Sequence, residues 1–565
     1  MMFLQQAEDQ MGSEQRGREL GVTVSGQGLC IKDLIQCARW KAPVQLTTDA
    51  KVWERMDRSC RTVLQSISQG GPLYGVTTSF GAQAEVFIPQ EQAASLQANI
   101  AWPHKTGAGD LLPDEDVRAA MLLRVNSLLH GLSGVRPVIV QRLVDCLNHG
   151  ITPQVHELGS IGASGDLVPL ASILGGIIGL DPAYKVHWRG QSMPAPQALQ
   201  QAGMEPLSLR PKEGLSVMNG TSAMTGIAAT CVQDAWSVLG LALAGHALMH
   251  QGLQASNQSL HPLVHASKPH RGQAAVAGAM RDLLGGSALI RDEMDGSHEF
   301  REQGPVQDRY SLRCLPQFMG PFVDGLDSIA GHIEVEMNSA TDNPLVDADQ
   351  GALLYCGNFL GQYVALGMDQ LRSTLGFLAK HLDVQIALLV TPEFNNGLSG
   401  SLVGNPERKV NLGLKGLQIT ANSIMPLLSF YGNSLADRFP THAEQFNQNI
   451  NSQGFGAAVL ARKAMGLMQQ YIAIALLFGV QAVDLRTKAL FGHFDARRTL
   501  SPSCTQVYEA VHQVLDISPQ AGRPYVFNDD EQGLDAHIAE LARDIAAEGA
   551  VVRAVQEIVE RLQAG

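Results

Sequence analysis

The sequence predicts a mainly α-helical protein, and three observations predict it. Apolar residues recur at helical spacing, helix-start residues precede such stretches, and long alternations of apolar and polar residues are scarce. Residues 1–20 are polar and expected to be mobile. Pro113-Asp114-Glu115-Asp116 places a proline and three acids where a helix N-terminus favours them, and Gly131 follows the apolar stretch as a stop. Leu326, Ile329, Ile333 and Met337 fall on one helical face. The tail repeats the pattern with Ile538, Leu541 and Ile545, then Val551, Val555, Ile558 and Leu562. The stretches 193–214, 293–313, 391–410 and 518–533 break the periodicity and read as loops. No internal repeat or low-complexity tract interrupts the chain.

Composition bounds the function. A chain of 565 residues can form two or three domains around a large core. Its 45% hydrophobic and 17% charged residues are those of a globular protein. The net charge of -13, without a basic stripe, argues against a nucleic-acid partner. Eight scattered cysteines with no C-x-x-C pair suit reduced thiols in a cytoplasmic protein, not a disulfide framework or zinc site. Only Met1 to Leu4 form an apolar run at the start, so no signal peptide is expected. Leu167 to Leu180, broken by Ser172 and bounded by Asp166 and Asp181, falls short of the roughly 20 residues of a bilayer span. It reads as buried core, and no membrane partner is expected. His261 and His265 have metal-pair spacing, but Pro262 lies between them and no third ligand is evident, so no metal is assigned.

The chemistry concentrates at Ala163-Ser164-Gly165. Gly165 has no Cβ, so its nitrogen can fold back onto the Ala163 carbonyl. Ala163 is small enough to permit that approach, and Ser164 can then lose water to leave a methylidene. The product is a 4-methylideneimidazole-5-one (MIO), an electrophile that no ordinary side chain supplies. Taken alone, the same residues also make an ordinary flexible turn.

Other blocks decide between those readings. They include Leu73-Tyr74-Gly75-Val76-Thr77, Lys105-Thr106-Gly107-Ala108-Gly109, Met218-Asn219-Gly220-Thr221-Ser222 and Gln307-Asp308-Arg309-Tyr310-Ser311-Leu312-Arg313. Thr341-Asp342-Asn343-Pro344-Leu345, Gly357-Asn358-Phe359, Lys415-Gly416-Leu417-Gln418-Ile419 and His442-Ala443-Glu444-Gln445-Phe446-Asn447-Gln448 follow. In this order the blocks make the chain resemble the MIO-dependent aromatic amino acid ammonia-lyases, most closely the short bacterial-type phenylalanine ammonia-lyases. The resemblance implies an aspartase/histidase-like long helical bundle with an N-terminal MIO-bearing domain. The expected segments are a mobile 1–20, an MIO-bearing 21–225, a helical bundle 226–517 and a C-terminal helical 518–565. It also implies a homotetramer, with sites assembled from several chains, acting on a small aromatic amino acid.

Loss of ammonia needs an electrophile to activate the amine and a base for the weakly acidic β-proton. The resemblance assigns the base to Tyr74, whose free pKa of about 10 must then be lowered, with helix N-termini as the expected source. It assigns the substrate carboxylate to Arg313, a planar bidentate donor. Tyr310 lies near the MIO and the leaving amine, and Asn219, Gln307 and Asn343 position the MIO oxygen or the carboxylate. Phe359 stands beside the MIO, Glu444 and Gln448 line the pocket floor, and Leu167 and Leu215 contact the substrate ring. Lys415 joins the substrate-binding set and counts against a histidine ammonia-lyase, in which a methionine is expected.

Two positions depart from the family pattern. Ser79 replaces a glycine in the Tyr74 block, which is expected to restrict that loop slightly. Pro103-His104 stands where phenylalanine-selective members carry Phe-Leu, while tyrosine-selective members carry histidine at the first of these places. A histidine facing the ring favours phenols such as tyrosine or DOPA; one facing away is structural. The rival readings are an MIO-dependent aminomutase, which returns ammonia to the β-carbon, and a histidine ammonia-lyase. An aspartase-type lyase would need a mobile Gly-Ser-Ser-type loop, which is absent, and a scaffold without catalysis would lack MIO absorbance.

Overall fold

The computed structural model of the protein describes residues 21–296 and 307–564. The expected mobile segment 1–20 and part of the expected loop 293–313 lie outside the described residues. Helices dominate, and the strands are two to four residues long. The four longest helices are Ser222–Gly252, Leu315–Met337, Gln362–Val390 and Gly454–Phe491. The helix expected after Pro113 runs from Asp114 to Leu128, and Leu326, Ile329, Ile333 and Met337 are buried along Leu315–Met337.

One expectation needs correction. The stretch 193–214 is not one loop, because it holds the helix Ala195–Gln201 and the start of Glu213–Met218. Pro194 and Pro196 read as breakers, yet proline is tolerated in a helix's first turn, where the missing N–H has no intrahelical partner anyway. The tail is helical as its pattern predicts, in three helices, Leu534–Ala546, Ala550–Arg553 and Gln556–Ala564. Leu167–Ile178 is buried core, as expected, and longer apolar helices stand beside it among the described residues. Ser222–Gly252, Gln362–Val390 and Gly454–Phe491 are long and apolar enough to cross a membrane by length and composition, and 94%, 61% and 78% of their most apolar windows are buried. A search for uninterrupted apolar runs misses them because isolated polar residues punctuate each one.

The chain divides into two compact units that interleave in sequence. The first takes the chain up to Gln233, with Ile329–Asp369 and Ser434–Ala461. Its centre is Asp114–Leu128, buried from Asp116 onward and packed against Ile31–Ala38 and Pro137–His149. Buried Arg118 donates to the Cys37, Ala38 and Leu147 carbonyls at 2.8, 3.2 and 3.0 Å, at the C-terminal ends of two helices where carbonyls lack a full intrahelical complement. Strands Ala108–Leu111 and His156–Leu158 pair antiparallel and lead the chain into residues 159–166. A second antiparallel pair, Leu345–Asp347 with Ala352–Leu354, ends one residue before Tyr355.

The second unit comprises Asp234–Ser328, Gln370–Asn433 and Arg462–Gly565. Within it the helices Ser222–Gly252 and Gly454–Phe491 pass closely: a Cβ at Gly479 would stand 2.8 Å from Leu248 Cβ, so glycine permits the approach. Arg486, also buried, donates to the Gly252, Asn395 and Asn396 carbonyls and ties a loop to this helix pair.

Candidate active site

A cavity of about 360 Å³ in the first unit gathers residues from five separated segments. Its lining includes Tyr74, His104, Ala163, Ser164, Gly165, Leu167, Leu215, Asn219, Glu444 and Gln448.

The floor is residues 159–166. Gly165 has φ +68, and a Cβ there would lie 2.1 Å from the Gly220 carbonyl oxygen, so only glycine fits. The Asp166 N–H donates to the same oxygen at 2.8 Å, clamping Ala163-Ser164-Gly165 against Asn219-Gly220. Asn219 Nδ2 donates to the Ser164 carbonyl at 3.0 Å, and Gln448 Nε2 donates to Ser164 Oγ at 3.1 Å. Arg124 donates to the Asn219 carbonyl at 2.8 Å. Burial lowers the Arg124 guanidinium to about 10, opposed by Asp342 and Asp166, so it remains charged at neutral pH. The Asn219 Oδ1 is buried without a hydrogen-bond partner.

Asp166 follows the motif as N-cap of Leu167–Ile178. Burial pushes its carboxyl up to about 7, against the Met224 N–H and the Ser160 hydroxyl, which favour the charged form. Two helix N-termini, of Leu167–Ile178 and Ser222–Gly252, therefore begin within three residues of Ser164 or Asn219.

Tyr74 sits across the cavity, its ring edge-on to Phe80 and Tyr355 with centroids 6.4 Å away in both cases. The Gly81 N–H donates to Tyr74 Oη at 2.9 Å. Burial raises the Tyr74 pKa, the Gly81 N–H lowers it, and the Glu444 charge raises it again, for a net rise. Within one chain, the ionisation expected of a base is thus opposed. Gln97, fully buried, accepts from the Leu215 N–H at 3.1 Å and donates to the Gly75 carbonyl at 2.8 Å, which fixes Leu215 beside the Tyr74 loop. Behind Leu215, the fully buried Lys212 donates to Asp342 and to Ser216, both at 2.8 Å. Ser79 lies outside the left-handed region and its N–H donates to Val86, so the loss of glycine there causes no strain.

Glu444, Gln445 and Phe446 all have left-handed φ, at 50, 55 and 66°. Such non-glycine residues cost about 1–3 kcal/mol each and persist where surrounding contacts hold them. Here Glu444 Oε1 accepts from the Ala82 N–H at 3.2 Å, and Gln448 is held by its bond to Ser164. His104 also reaches the cavity. Its Nδ1 lies 2.8 Å from the Ile100 carbonyl, which can only accept, so Nδ1 carries a proton and Nε2 is the acceptor of the neutral ring.

The remaining expected residues are outside this lining. In the first unit, Asn343 Oδ1 accepts from the Cys356 N–H at 2.8 Å, and Phe359 is half-buried. Gln307, Tyr310, Arg313 and Lys415 belong to the second unit. There Tyr310 is 72% exposed, the Arg313 guanidinium stacks 4.6 Å over its ring, and Lys415 is exposed at the first position of Lys415–Tyr431. His261 caps a short helix through Nδ1 and His265 contacts Ser259 and Gln273, and no metal-binding group of three residues occurs among the described residues. Sequence reasoning missed Gln97, Phe80, Ile100, Val168 and Tyr355. Only Phe80 and Val168, adjacent to named motifs, carried a local signal.

The family model "Aromatic amino acid lyase" matches residues 29–513. A phenylalanine ammonia-lyase from Nostoc punctiforme is 56% identical over 542 residues, 96% of this chain and 95% of that protein. An aromatic ammonia-lyase from Loktanella atrilutea is 45% identical over 95% of this chain and 98% of its own length. Among solved structures, a tyrosine aminomutase from Streptomyces globisporus superposes with a TM-score of 0.83 at 30% identity, covering 95% of this chain and 99% of that one.

Proposed function

The chain belongs to the aromatic amino acid lyase family and is an ammonia-lyase of the phenylalanine type, and we propose how its residues divide the reaction. The observation that carries the proposal is the convergence of Tyr74, Ser164, Asn219 and Gln448 on one cavity with apolar walls at Leu167 and Leu215.

The residues fit an MIO built from Ala163-Ser164-Gly165. Its formation joins the Gly165 nitrogen to the Ala163 carbonyl carbon with loss of one water, and removes the Ser164 hydroxyl and α-hydrogen as a second. Asn219 already donates to the Ser164 carbonyl, which becomes the oxygen of the ring. When formed, the group supplies an electrophilic carbon that makes the substrate amine a better leaving group. Leu167 and Leu215 hold the aromatic ring, and Tyr74 takes the β-proton at its phenol oxygen. The Gly81 N–H steadies the phenolate that must exist before the proton is taken. Because burial and Glu444 oppose that ionisation within one chain, the further stabilisation is assigned to neighbouring copies.

A homotetramer supplies those copies. Arg313 then binds the carboxylate bidentately, with Tyr310, Gln307, Asn343, Phe359 and Lys415 completing the site from other chains. Support comes from the helix Lys415–Tyr431, which buries Leu417, Ala421 and Leu428 yet leaves Ile419, Leu427 and Phe430 at 61%, 50% and 74% exposure. A cytoplasmic location is proposed because the eight cysteines are scattered and form no disulfide among the described residues. His104 Nε2 is an acceptor suited to a para-hydroxyl, which favours tyrosine or DOPA alongside phenylalanine.

Purified protein assayed on phenylalanine, tyrosine, DOPA and histidine, with products resolved chromatographically, tests this reading. Aromatic acrylates and free ammonia are expected. A β-amino acid as main product would make the protein an aminomutase, and a preference for histidine would overturn the aromatic assignment.

A further inference from the structure

A chain of buried, neutral polar groups stands behind the short helix Tyr310–Arg313, and the cavity chemistry does not account for it. Gln385, fully buried, donates through Nε2 to the Ser311 carbonyl at 2.8 Å. That carbonyl can only accept, so the amide orientation follows and Oε1 faces the other way as an acceptor. His246 Nδ1 lies 2.8 Å from this Oε1 and must carry the proton, which leaves its Nε2 as a lone pair. His381 Nδ1 lies 3.2 Å from His246 Nε2 and is therefore the donor. One backbone carbonyl thus sets the amide and both tautomers in turn.

The packing keeps the relay neutral. His246 is 0% and His381 6% exposed, and the two rings meet edge-on with centroids 4.7 Å apart. His381 also stacks on Phe318 at 4.7 Å. Burial holds the His246 pKa well below its ordinary value, assisted by His381 and His250, and brings His381 down to about 4. His250, which contacts the His246 carbonyl at 2.8 Å, is lowered by burial too, with Asp308 acting in the opposite sense.

Other contacts hold the segment as well, since His250 bonds the Leu312 backbone and His381 the Ser311 backbone, and Leu312 is buried. Asp308 anchors its start by accepting from the Ser256 N–H and from Arg291, both at 2.6 Å. At its end, Arg313 Nε is buried without a partner and the guanidinium rests on the exposed Tyr310 ring. Holding the Ser311 carbonyl therefore controls where the guanidinium two residues later points.

We propose that Gln385, His246 and His381 are positioning residues for Arg313, aiming its guanidinium at the substrate carboxylate through the Ser311 carbonyl. The proposal rests on the reading of Arg313 as carboxylate anchor. The relay would be blind to the aromatic ring and would act on any ligand that carries the carboxylate.

The test compares two probes on the full-length enzyme: trans-cinnamate, which has the carboxylate, and cinnamyl alcohol, which has the ring without it. Gln385→Met keeps the side-chain volume but removes both hydrogen bonds. It should weaken cinnamate inhibition about tenfold, the loss of one charge-assisted contact's geometry, and leave cinnamyl alcohol unchanged. In an Arg313→Ala background the same substitution should have no further effect, because coupled residues are non-additive. Equal weakening of both probes, or no change in either, would overturn the positioning role. Full cinnamate affinity in Arg313→Ala alone would instead overturn the anchor reading. Should Gln385→Met not fold, neutron diffraction of the unaltered protein decides: deuterium on Nδ1 of both His246 and His381 supports the relay, and deuterium on Nε2 of either refutes it.

Discussion

Replacing His104 by leucine tests how the pocket distinguishes phenyl from phenol. The Nδ1 proton is committed to the Ile100 carbonyl at 2.8 Å, so Nε2 is left to accept from a para-hydroxyl. A neutral hydrogen bond of this kind contributes about 0.5–1.5 kcal/mol, and a phenol left unpaired in an apolar pocket costs about 1–3 kcal/mol. Leucine removes the bond, strands the hydroxyl and gives bare phenyl an apolar neighbour. At about 1.4 kcal/mol per decade, the ratio of kcat/KM for phenylalanine over tyrosine should rise about tenfold or more. Phenylalanine turnover itself should change little, since the imidazole takes no part in proton transfer. The assay is initial-rate kinetics on both amino acids with the same enzyme preparation, alongside thermal unfolding, because the Ile100 carbonyl also loses a donor. An unchanged ratio with intact stability would refute the argument and make His104 a structural residue.

Other substitutions separate the remaining roles. Ser164→Ala should abolish turnover and MIO absorbance while the protein stays folded, and substantial activity in a pure sample would exclude the MIO assignment. Tyr74→Phe should keep MIO absorbance and substrate binding but lower kcat by roughly 10²–10⁴, the usual contribution of a general base; a near-normal rate would assign proton removal elsewhere. Sedimentation should find a homotetramer, and a fully active monomer would contradict the composite site. Burial raises the Asp166 carboxyl to about 7 from its ordinary 3.8, so its contribution to stability is greatest below the unfolded value and is lost as pH rises through the folded one. Asp166→Asn, which mimics the neutral form, should flatten the fall in Tm between pH 5 and pH 9, and an identical fall in both proteins would show that Asp166 does not titrate there.

The sequence by itself determined the elements whose causes are local. Pro113 and its following acids start a helix by cap chemistry, and Ala163-Ser164-Gly165 announces a cyclisation because all three participants are adjacent. Even the cavity residues Tyr74, Asn219, Glu444 and Gln448 were legible, each inside a motif. Where local punctuation pointed two ways, as at Pro194 and Pro196, the helix Ala195–Gln201 was read as loop. Tertiary structure alone decided what depends on partners distant in the chain. Gln97 bridges Gly75 and Leu215, Tyr355 arrives beside Tyr74 on a hairpin, and Glu444 occupies a left-handed turn held by Ala82. Tautomers belong to the same class. Histidine's two nitrogens are equivalent in a sequence, and only a carbonyl at a fixed distance, from Ile100 for His104 or from Ser311 through Gln385 for His246, determines which one carries the proton.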